Sequence, residues 1–325
     1  MKLYLRGHWP LFLCIFFLDQ MPYTMNDHKR INIFILLRKA FEEFRKNDPL
    51  RMAGATAFFT TFALPAVLII LIQVFGLILS PHFMSRQLFI NLGEVVGRNT
   101  AVELHKTLFN VRLLFRNWYE ATLGFLFLIF VATTLLKVIK DSLNQLWNIR
   151  TVKKMGFRFT LLNRVKSFAV ILIAGVLFLV ALLAEGGFAM IQKSAGGQVV
   201  QHGLLAKTFI REIILFLMVT VWFSMLFKFL PDARPSWKTV IAGAFFTGFL
   251  FTIGKLLLQW LLSYSSMQTI YGASTSSVLL LLFVFYSSFI FYYGACFTKI
   301  WSEFYSKPIS PAKYAEKYQW SRVRV

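Results

Sequence analysis

Six stretches of this chain are long and apolar enough to cross a lipid bilayer, and that constrains its fold more than any other feature. A bilayer core about 30 Å thick takes about 20 mostly apolar residues as helix. Residues 53–79, 118–139, 167–191, 213–230, 240–262 and 272–300 meet that requirement. None alternates with period two over the length of a strand, so the pattern is not that of a membrane barrel. With no water in the hydrocarbon to satisfy backbone groups, helices are the remaining solution. The expected fold is all-α, a polytopic membrane protein with a six-transmembrane-helix bundle and amphipathic interfacial helices.

Composition enters here as support. Of 325 residues, 57% are hydrophobic and 15% charged, with 37 Phe; soluble domains carry about 25% charged residues. The charge is one-sided, 35 Lys+Arg against 14 Asp+Glu, a formal net charge of +21. In an apolar chain such an excess points to anionic lipid headgroups as partners. Specific nucleic-acid binding is not expected, because affinity from a basic tail is non-specific and salt-sensitive.

The positions of Lys and Arg orient the bundle. They crowd before the first span (Lys29, Arg30, Arg38, Lys39, Arg45, Lys46, Arg51) and after the second (Arg150, Lys153, Lys154, Arg158, Arg164, Lys166). They recur after the fourth (Lys228, Arg234, Lys238) and beyond the sixth (Lys299, Lys307, Lys313, Lys317, Arg322, Arg324), whereas the alternate links carry far fewer. Both termini are therefore expected in the cytoplasm, with the protein in the bacterial inner membrane.

Four regions follow. Residues 1–24 read as an N-terminal extension: the apolar run 11–18 is too short to span and is followed by no small-residue cleavage site, so translation is expected to start at Met25. Residues 25–52 form a cytoplasmic amphipathic helix, with Ile33, Leu37, Ala40, Phe41 and Phe44 at helical spacing between charged positions. Residues 53–303 are the membrane domain. Its first outer link repeats an amphipathic pattern at Leu104, Leu108, Val111 and Phe115, which predicts helices capping that face. Residues 304–325, with Pro308, Pro311 and dispersed charge, read as a mobile basic tail.

Chemistry-bearing residues are few. Cys14, Cys296 and five scattered histidines show no metal-ligand or redox spacing, and no phosphate-binding loop is present, so no metal, cofactor or ATP use is expected. Lys255 is the most informative residue. Placing an ammonium inside a span costs on the order of 2.5–3.5 kcal/mol, and Lys255 continues a small-residue face, Ala244, Gly248 and Thr252, that lets another helix approach. By depth its expected partner is Glu185, with Gln73, Glu212 and Gln259 at similar height. Two readings stay open: a functional polar cavity, or an ion pair that sets helix registry. Pro65 interrupts the first span as a hinge or a static kink. Lys137 and Lys140 end the second span as anchors or lipid-phosphate contacts, and Asn144 and Trp147 carry that helix toward the interface.

Several runs together resemble a known family. Ala57-Phe58-Phe59-Thr60-Thr61-Phe62-Ala63-Leu64-Pro65, Asp141-Ser142-Leu143-Asn144-Gln145-Leu146-Trp147, Leu230-Pro231-Asp232 followed by Trp237, Gly254-Lys255, Tyr271-Gly272-Ala273 and Gly294-Ala295-Cys296-Phe297-Thr298 stand in the order found in the YihY/virulence factor BrkB family. The resemblance implies a six-helix inner-membrane protein with both ends inside. The family places its proline where this chain has Ala66, and commonly a glutamate where it has Cys296. It was once labelled a tRNA-processing ribonuclease and later linked to virulence, serum resistance and envelope-lipid handling. Metal-dependent hydrolysis needs clustered ligands, and the acids here are dispersed, so the ribonuclease reading is rejected and no enzymatic activity is expected. The expected function is transport or envelope-lipid handling through a polar cavity, with a membrane scaffold lacking translocation as the alternative.

Overall fold

The computed structural model describes residues 33–75, 101–102, 106, 118–152, 172–173, 176, 203–263, 275–305 and 308–318. Six helices are described in full: α1 (Ile33–Lys46), α2 (Pro49–Phe75), α3 (Trp118–Leu146), α4 (Gly203–Phe229), α5 (Trp237–Ser263) and α6 (Thr275–Tyr305). Windows Glu212–Phe229 of α4, Trp237–Leu258 of α5 and Ser277–Tyr305 of α6 are long and apolar enough to cross a membrane. Most of the third expected span, 167–191, the extension with its Met25 start, and most of the outer link lie outside the described residues.

Local sequence explains where these helices begin and end. The Asn47 side chain donates to the Glu43 carbonyl at 2.9 Å, and Asp48 takes a left-handed φ of 52°. Pro49 then opens α2 at the position where its missing N–H costs nothing. Asn148, φ 55°, stops α3 in the same left-handed way. At the start of α5 the Ser236 hydroxyl receives the Thr239 N–H at 3.3 Å, a side-chain cap. Pro65 does not end α2, which is helical on both sides of it.

The bundle is organised around α6, which packs against α1, α2, α3 and α5, while α4 packs on α5. The α5–α6 contact is the tightest. A side chain in place of Gly243 would run into Thr298, and one in place of Gly294 into Thr247. Each threonine returns its hydroxyl to the glycine carbonyl one turn earlier on its own helix, both at 2.7 Å. The pairing is reciprocal: glycine on one helix receives threonine from the other, the small-residue contact that membrane helices use in place of a hydrophobic drive. Aromatic rings fill the space beside it, with Phe246 stacked on Phe297 and Phe227 on Phe291 at centroid distances of 4.1 and 5.1 Å.

Four short strands add to the expected all-helical architecture. β1 (Ile149–Thr151) pairs antiparallel with β4 (Ala315–Lys317), and β2 (Ala233–Arg234) with β3 (Ser310–Pro311). The expectation of a mobile tail from Ser306 therefore does not hold for residues 308–318. Proline and charge gave that expectation, but Pro311 is one of only two residues in its strand, and the Ala312 N–H reaches the Asp232 carbonyl at 2.9 Å.

Candidate functional site

One end of the bundle gathers the C-termini of α3, α4 and α6 and the N-terminus of α5 around a single buried carboxylate. Asp232, 3% exposed, sits in the short connector between α4 and α5. Lys140 of α3 approaches its Oδ1 at 2.8 Å, and the Tyr314 hydroxyl donates to the same oxygen at 2.8 Å. Its Oδ2 accepts from the Asn144 amide at 3.0 Å and the Thr151 hydroxyl at 3.2 Å. Asn144 also receives the Asp232 backbone N–H at 2.8 Å, so the two side chains are locked reciprocally. Four donors on one carboxylate, one of them charged, give this junction the complete satisfaction that buried charge requires. Burial and the neighbouring carboxylate push the Tyr314 hydroxyl up to about 12, keeping it protonated as a donor.

A second buried pair lies beside it. Lys299 of α6 bonds to Glu43 of α1 and donates to the Leu146 carbonyl at the end of α3 at 3.1 Å. The indole N–H of Trp147 donates to the Ala295 carbonyl at 3.0 Å. Cys296 is fully buried in this neighbourhood.

These contacts bear on the end of α3. Trp147 is 1% exposed and Asn144 is buried, so both face protein; each is drawn inward because its polar atoms have partners on other segments. Lys140 is held by Asp232, and Lys137 is exposed. Sequence reasoning had passed over Asp232, Tyr314, Glu43 and Lys299 as site residues. The Leu230-Pro231-Asp232 run carried a signal for Asp232, but burial of its carboxylate depends on three distant segments.

The expected intramembrane site is only partly among the described residues. Lys255 is half-buried on α5 and Glu212 exposed on α4. Gly248 sits against Thr220 and Phe216 of α4, so two turns further the antiparallel register brings Lys255 level with Glu212. No ion pair joins them. Lys255 lies in the final turn of the α5 crossing window, three residues before Leu258. Glu185 lies outside the described residues, and Gln73 and Gln259 are placed only by the backbones of α2 and α5.

A cavity of about 330 Å³ opens among α2, α3, α4, α5 and α6. Leu135, Ile139, Trp222, Phe223 and Phe251 are typical of its wall, and Lys255 is not among its described lining residues. This cavity is apolar and separate from the polar one expected around Lys255 and Glu185, which involves residues outside those described.

Comparison with known proteins adds identity to this geometry. A family model described as Virulence factor BrkB matches residues 40–317. A UPF0761 membrane protein of Pseudomonas paraeruginosa is 28% identical over 246 residues, covering 75% of this chain and 57% of the relative. A UPF0761 membrane protein of Pseudomonas aeruginosa aligns with the same figures. One from Mannheimia succiniciproducens is 22% identical over 268 residues, 79% of this chain and 86% of the relative. The chain thus spans little more than half the length of the Pseudomonas relatives. No solved structure matches it.

Proposed function

The chain belongs to the virulence factor BrkB family of membrane proteins, and from that premise we propose that it handles envelope lipid in the bacterial inner membrane, moving it through the helix bundle. The observation that carries this reading is the apolar cavity among α2, α3, α4, α5 and α6. A path for ions or sugars needs hydrogen-bonding walls, whereas a wall of Leu, Ile, Phe and Trp suits the hydrocarbon part of a lipid. The expected headgroup contacts are anionic, made by exposed basic residues such as Lys137, Arg234 and Lys238 at the Asp232 end. The work is non-covalent: no catalytic step and no cofactor is part of it.

Six spans with both termini in the cytoplasm fit this reading. α3 and α4 both finish beside Asp232, while the 27-residue α4 begins about 40 Å away along its axis. The basic links then fall on the side of Asp232, which the charge rule assigns to the cytoplasm.

A scaffold without translocation is the second reading, favoured by the closed hydrogen bonding of the Asp232 junction. Translocation of fluorescently labelled phosphatidylglycerol in proteoliposomes separates the two. Transfer faster than in protein-free vesicles supports lipid handling, and background rates overturn it for that lipid. Lys255→Met in the same assay reports whether the amine at the far end takes part.

A further inference from the structure

The interior space has a shape as well as a chemistry. Its lining runs from Thr56 to Val67 along α2 and from Phe283 to Phe291 along α6, which at the helical rise is roughly 16 Å and 12 Å. A volume of about 330 Å³ drawn out over that length is an elongated slot at the small end of the range of ligand pockets, and its shape suits an extended hydrocarbon chain. Of the four hydroxyls on the wall, those of Thr56, Thr60 and Ser287 are engaged elsewhere, and Ser288 is the fourth. Thr60 and Ser287 each donate to a carbonyl of their own helix at 2.6 Å, and Thr56 is bonded to the Tyr292 hydroxyl at 2.6 Å. Water in such a slot would lack the two to four polar partners it needs. The lining residues lie inside long apolar helices, at a depth where the abundant molecules are lipid chains.

We propose that this slot is a binding site for a single acyl chain, lying along the bundle axis with Trp222 at its side. The proposal rests on the lipid-handling reading and narrows it. Specificity is for the chain rather than the headgroup, and one chain of a two-chain lipid enters while the other stays in the bilayer. Ala132, fully buried on α3, marks the wall where added volume closes the slot.

The test uses the full chain reconstituted in vesicles containing phosphatidylglycerol brominated at mid-chain. Bromine quenches indole on contact, and the difference between wild type and Trp222→Phe isolates the signal of Trp222. That signal is expected to be quenched several-fold more strongly in wild type than in Ala132→Phe, where the ring fills the slot. Val219→Phe, filling it from α4, gives the same result if Ala132→Phe fails to fold. Equal quenching in wild type and both filled variants would mean that Trp222 meets only bulk lipid, and would overturn the site. Brominated free fatty acid in unbrominated vesicles tells whether the chain comes from a phospholipid or from a free acid: quenching by the acid at low occupancy assigns the slot to fatty acid. Slot-dependent quenching with background translocation keeps the acyl-chain site and overturns the transport reading alone.

Discussion

One end of the described bundle and its middle are held by different physics. At the Asp232 end, a carboxylate, an ammonium, an amide, two hydroxyls and an indole fix α3, α4, α5 and α6 through directional bonds. A few turns away the same helices meet through methyl groups and rings, and there they leave a cavity. Directional bonds tolerate one geometry; contacts without direction tolerate several. The comparison identifies the polar end as a fixed base and the middle as the part that can change its packing.

The sharpest way to break this contrast is to remove the carboxylate. Asp232→Ala leaves Lys140 buried without its counter-charge and is expected to cost about 3–5 kcal/mol, read as thermal unfolding in detergent. A loss below about 1 kcal/mol would place the junction in water. Next in size, Gly294→Val pushes against Thr247 on α5 and is expected to cost about 1–3 kcal/mol, as overpacking does elsewhere. A smaller effect comes from Tyr314→Phe, about 1–2 kcal/mol for one hydrogen bond to a charged acceptor. This variant also sharpens the pH behaviour. The Tyr314 pKa is raised from 10.0 to about 12, so its contribution is complete below pH 10 and is lost as pH climbs through 12. An alkaline unfolding profile should therefore lose that component in Tyr314→Phe. The smallest expected effect on stability in the same thermal assay is that of Val219→Phe, a half-buried position on the cavity wall whose ring enters existing space and whose consequence is functional.

The membrane-crossing character of α4, α5 and α6 was legible in the sequence because it depends on residue counts within a continuous run. So was the small-residue face of α5: Gly248 meets Thr220 of α4 as its spacing implied. The Asp232 junction was not legible. Its partners come from positions 140, 144, 151 and 314, and a carboxylate in a connector reads in isolation as solvated. The burial of Trp147 was not legible for a related reason. Tryptophan at the end of a span suits an interface, and only the carbonyl of Ala295 on another helix explains why it is buried. Lys255 drew attention as a charge inside a span, but helix register places it in the final turn of the apolar window.

The pairing of residues 310–317 with both connectors also has a consequence in time. A ribosome releases these residues after all six described helices, so α3 and α4 enter the membrane while Asp232 still lacks its tyrosine and its neighbouring strands. Until then, the helix ends are joined only by bonds available earlier in synthesis, among them the Asn144 and Lys140 contacts. The last strands thus act as a finishing clasp on helix ends that those contacts have already joined.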